Sequence, residues 1–67
     1  MDSIEKAKVR IEHWMHHNDH HLEDYEAFAL ELERAGKTES AAAIREMIGY
    51  TAKSGECLQK AMDALGL

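Results

Sequence analysis

Along nearly the whole chain, seam positions recur in alternating steps of three and four, and no proline interrupts them. In the first half the series Ile4, Ala7, Ile11, Trp14, Asn18, His21, Tyr25, Phe28, Leu32, Ala35 runs without a slip. A second series follows: Ala41, Ile44, Ile48, Thr51, Gly55, Leu58, Met62, Leu65. Such spacing marks a helix that lays one face against another helix. Between the two series stands Gly36-Lys37-Thr38. The glycine can take the left-handed conformation that closes a helix, and Thr38 is a suitable N-cap for the next one. Asp2 with Glu5 has the form of a capping box, so the first helix is expected to begin there. The pattern predicts an all-α antiparallel hairpin of two long helices, about 3–35 and 39–65, forming a single domain over residues 1–67.

Unbroken phase through Asn18 favours one continuous first helix of roughly 50 Å, at about 1.5 Å per residue. A break near Asn18-Asp19, giving a three-helix bundle, is the alternative. Folding the chain about its loop pairs residue numbers that sum to roughly 74, which sets Asn18 and His21 near Gly55 and Thr51. A glycine inside a helix costs about 1 kcal/mol relative to alanine, so Gly55 implies that room is needed at the Trp14 level. A slot for the indole, a pocket, or a kink at Ser54-Gly55 would each use it. Asn18, a polar residue on the seam, can fix register and oligomeric state. With 67 residues the chain lies near the lower limit for a self-sufficient core. Met15, Leu22 and Ala29 also widen the first helix's apolar stripe beyond one partner's reach. A homodimer forming a four-helix bundle is the economical cover.

Five histidines fall inside nine residues, His13-Trp14-Met15-His16-His17-Asn18-Asp19-His20-His21. On a helix, residues four apart are neighbours, so His13/His17, His16/His20 and His17/His21 can each offer two imidazoles to one ion. By seam position His21 points inward, His17 flanks the core, and His13, His16 and His20 face outward. Glu12, Asp19, Glu23 and Asp24 are near enough to supply an oxygen, Asp24 first among them. The plainer expectation is a solvated histidine face, with His21 hydrogen-bonded to Asn18 or Thr51. Trp14, Tyr25 and Phe28 read as core fillers rather than a ligand cage. Cys57 pairs with His17 by number but occupies an outward position, and is a weak candidate for ligand or nucleophile.

A formal charge of −5 argues against nucleic acid as a partner, because counterion release needs a basic patch. His-Glu-x-x-His and paired Glu-x-x-His motifs are missing, and no general base or cleft is evident, so a non-enzymatic protein is expected. One cysteine forbids an intramolecular disulfide and suits the cytoplasm. The start Met-Asp-Ser-Ile-Glu-Lys carries no apolar signal core, and no apolar run approaches the ~20 residues of a membrane span, so neither export nor insertion is expected.

The pattern His13-Trp14-x-x-His17-Asn18-x-x-His21-x-x-x-Tyr25 resembles a short helical-hairpin domain of small bacterial and archaeal metal-handling proteins. In that family it follows histidine-rich segments, sometimes beside a domain similar to nickel accessory proteins of carbon monoxide dehydrogenase. The resemblance spans roughly Ile11 to Leu65, and only the histidine pattern within it is specific. It implies His13, His17 and His21 as ligands and a metal-handling protein as partner. His16 and His20 stand where that family would carry acidic residues, and neither an appended domain nor a long histidine tract is expected beside this hairpin. The expectation is a dimeric, cytoplasmic module holding nickel or zinc through His13, His17, His21, His16, His20 and Asp24. A metal-free interaction module, its histidines solvated or sensing pH, is the second.

Overall fold

The structure, a computed structural model, describes residues 2–66. Two helices, α1 (Ser3–Arg34) and α2 (Thr38–Ala64), lie against each other as a hairpin. α1 starts where Asp2 Oδ1 accepts from the amides of Ile4 and Glu5 at 2.9 and 2.8 Å. These are two of the four donors that a helix start leaves without partners. α1 ends in a Schellman turn. Gly36 takes φ 77°, Lys37 N–H donates to the Leu32 carbonyl at 2.8 Å, and Gly36 N–H donates to that of Glu33 at 3.0 Å. Thr38 proves to be the first residue of α2 rather than its cap; Lys37 precedes the helix and makes no side-chain capping bond.

Both helices run unbroken, so no break forms at Asn18, and α2 stays helical through Ser54-Gly55. The three-helix alternative is thereby excluded. Asn18 sits on the seam without ending the helix because its side chain finds an acceptor across it, described below. The hairpin measures 51 × 16 × 11 Å, with a radius of gyration of 15.5 Å against about 11 Å for a globular chain of this length.

On α2 every expected seam position, from Ala41 to Leu65, is buried or half-buried. α1 differs. Ala7, Ile11, Asn18, Tyr25 and Leu32 lie on the seam as expected, but Met15, Leu22 and Ala29 lie there too, while Ile4, Trp14, His21, Phe28 and Ala35 face outward. The helix is rotated so that a neighbouring column of its wide stripe meets α2. Small residues explain this rotation near the loop: Ala29 and Ala41 are 0% and 1% exposed, and their lack of bulk lets the helices come close. An indole or phenyl ring in that column would hold them apart. Arg45 of α2 adds a bidentate ion pair to Glu33 of α1 at the same end. Among the described residues those two alanines are the only buried ones. Every larger apolar side chain of the hairpin keeps part of its surface in water.

Candidate functional site: a histidine face beside an open groove

Rotation of α1 decides what the histidines can do. His21, expected inside, is exposed together with His13, His16, His17 and His20. Trp14 and Phe28 are not core fillers, being 51% and 48% exposed, whereas Tyr25 is half-buried. Neither Asn18 nor Thr51 holds the His21 ring. It stacks on Tyr25 instead, with centroids 5.7 Å apart and planes inclined by 12°.

Asn18 fills the space that Gly55 leaves. Its Nδ2 donates to the Thr51 carbonyl at 3.0 Å, and a Cβ built on Gly55 would lie 2.9 Å from that nitrogen. A Cβ there would have to displace the Asn18 amide. The glycine therefore serves the asparagine and not the indole, which lies outside the hairpin. This polar bond through a half-buried seam is worth about 1 kcal/mol, and it fixes which turn of α2 faces Asn18.

Each of the three histidine pairs is in place. Ring centroids are 4.3 Å apart for His13/His17, 5.5 Å for His16/His20 and 6.3 Å for His17/His21. Two imidazoles on one tetrahedral ion, with metal–nitrogen distances of about 2.0 Å, put their centroids about 5 Å apart. The observed spacings bracket that value. Among the described residues, no three His, Cys, Asp or Glu side chains are grouped to hold a metal. One chain offers pairs.

Two depressions flank the histidine ridge. A groove of about 630 Å³ runs between the helices, walled by His13, Trp14, His17 and His21 on α1 and by Ser54, Cys57 and Leu58 on α2, with Asn18 between them. No carboxylate, lysine or arginine lines it. Cys57, expected to face away, is exposed and opens onto this groove beside three histidines. Folding about the loop already pairs Cys57 with His17 by number; its opening onto a groove with the histidines follows from the α1 rotation. The second depression, about 420 Å³, is lined by His16, His17, His20, His21 and Asp24. Asp24 thus borders the histidines as expected. Glu12 instead pairs with Lys8 at 3.8 Å.

The clearest electrostatic perturbation lies elsewhere. Hydrogen bonding from Arg45 holds the Glu33 carboxyl below its usual range, and the guanidinium charge adds to that effect. The same pair raises Arg45. It is a clamp at the loop end, distant in sequence from the histidine run.

Residues 7–65 match the family described as Domain of unknown function (DUF8180), and the chain belongs to it. That description names neither a metal nor a partner. No curated protein matches the chain. No solved structure matches it either. Among the described residues, no helix is long and apolar enough to cross a membrane.

Proposed function

We propose that this hairpin is a binding module, not an enzyme, that holds a divalent transition metal, nickel or zinc, through paired imidazoles of α1. The observation that carries the reading is the set of three i, i+4 histidine pairs with centroids 4.3 to 6.3 Å apart on one exposed face. Imidazole is a borderline ligand suited to both ions, and a rigid helix presents the pair at fixed spacing. His17 and His21 carry most of the binding, because the His21 ring is already held against Tyr25 and loses less freedom on ligation. His13 shares His17, while His16 and His20 make a looser outer pair. Asp24, beside the second depression, is the acceptor for a ring N–H, which fixes the tautomer of a ligating histidine. A role beside a metal-handling protein in the cytoplasm fits this reading, where a lone thiol such as Cys57 stays reduced.

Calorimetric titration of tag-free, chelator-treated protein with nickel and zinc chloride tests it, alongside His17→Ala/His21→Ala. Saturation at an integral ratio, lost in the variant, is the expected result. Weak binding at many sites, unchanged in the variant, would sink the metal reading. A second reading rests on the exposure of Trp14 and Phe28: a metal-free docking module whose apolar groove receives another helix. In that case the double alanine variant would leave assembly untouched.

A further inference from the structure

We propose that a second copy of this chain covers the open face, with its α1 antiparallel to the first, and that His17 and His21 of both copies form one shared four-imidazole metal site. This rests on the metal-binding reading above and says how the site is completed. One chain supplies pairs of histidines and no grouping of three, whereas a closed tetrahedral site takes four ligands. A two-fold axis doubles a pair into a full set.

The face is suited to such an occupant. Trp14 and Phe28 flank the His17/His21 pair, and the groove beside them has no charged side chain in its lining. Two copies of a chain of net charge −5 can meet across that groove without placing a carboxylate, lysine or arginine in it. The exposed surface is 5132 Å². A folded monomer of this mass exposes about 4300 Å², so the hairpin leaves roughly 800 Å² more in water. That excess equals one partner's share of a standard interface, about 800 Å².

Register follows from the heptads. α2 takes the columns of Ile11/Asn18/Tyr25 and Met15/Leu22/Ala29, which leaves the columns of Trp14/His21/Phe28 and Arg10/His17/Asp24 for the second copy. Antiparallel layers formed from these columns have residue numbers that sum to 31, 38 or 45. Complete overlap of α1 with its copy requires a sum of 37, from its ends at Ser3 and Arg34, and 38 is the nearest. In that register His17 faces His21 of the second copy, and His21 faces its His17. The two-fold axis lies level with residue 19, midway between the histidines of the pair, where a shared ion must lie. Arg10 then stacks on Phe28 of the second copy, a cation–π arrangement, within a turn of its Glu31. Parallel pairing would set Arg10 against Arg10.

Sedimentation velocity and calorimetry on the full chain, with nickel chloride and zinc chloride as probes, test the proposal. Three proteins are compared: the native chain, Phe28→Glu and His17→Ala/His21→Ala, each checked for helicity. Expected are a dimer, one ion per two chains, and loss of binding in the histidine variant. The Phe28→Glu variant, which alters no ligand, should sediment as a monomer and bind about 100-fold more weakly, because the second pair no longer arrives at high effective concentration. One ion per chain on a monomer, or undiminished binding by Phe28→Glu, would overturn the shared site and leave the metal reading standing. A native dimer that binds neither ion would overturn both.

Discussion

The loop end of the hairpin and its histidine-bearing middle are built from the same heptad, yet one is closed and the other open. At the loop end, Ala29 and Ala41 are both buried, a Schellman turn satisfies the last carbonyls, and Arg45 clamps Glu33. In the middle the helices are joined by the bond from Asn18 to the Thr51 carbonyl, while Trp14 stands in water beside a groove. Small residues close a helix pair by themselves. A glycine facing an asparagine fixes register but leaves the large side chains on the outside, available for something else.

Five substitutions test this contrast. Ala41→Leu should be the most damaging, because its site has no space for three more carbons; about 2–3 kcal/mol of destabilisation is expected from denaturant unfolding followed by circular dichroism. If the loss were below that of Trp14→Ala measured at a concentration where the chain is monomeric, the loop end would not be the closed region. Gly36→Ala comes next, at about 1–2 kcal/mol, because φ 77° brings a Cβ against the following carbonyl. An unchanged unfolding midpoint would show that the turn adapts.

Gly55→Ala and Gly49→Ala then separate two kinds of helical glycine. A Cβ on Gly49 meets nothing within 4 Å, so the alanine should stabilise by about 1 kcal/mol through helix propensity. At Gly55 the same gain is offset by the displaced Asn18 amide, and the net change should be near zero or unfavourable by about 1 kcal/mol. In an Asn18→Ala background Gly55→Ala should turn stabilising. Additivity in that double-mutant cycle would refute the Asn18–Gly55 account.

The smallest effect belongs to the Glu33–Arg45 clamp, which is exposed and screened by solvent. The Glu33 pKa is lowered in the folded chain, so its contribution is present above the unfolded carboxylate pKa and is lost as pH falls through the folded one. The difference in melting temperature between native and Arg45→Met proteins should therefore shrink as pH drops through the carboxylate range. A difference that stays constant would mean that Arg45 acts through packing alone.

How much of this was legible in the residues differs between the helices. α2 has one main apolar stripe, so the three-and-four spacing located its seam from Ala41 to Leu65 and missed only the half-buried Met47 beside Ile48. α1 carries three apolar columns, and periodicity alone does not say which two meet α2. Side-chain size is the guide: the buried Ala29 and Ala41, and Gly55 opposite Asn18, mark close approach of the helices, with Trp14 and His21 outside. The histidine pairs were readable because i, i+4 neighbours share a face on any helix. The Cys57-bearing groove was not, since it depends on how the two helices are rotated against each other. The family match over residues 7–65 supports the span assigned to the histidine-pattern domain and is silent on the metal.

The central claim is that His17 and His21, and not the histidine cluster as a whole, form the site. Its most direct test is a zinc titration followed through the ring-nitrogen NMR signals of all five histidines. His17 and His21 signals should move together and saturate at one ion per two chains, while His16 and His20 shift little. Parallel, unsaturating shifts of all five rings, or none in any, would contradict it.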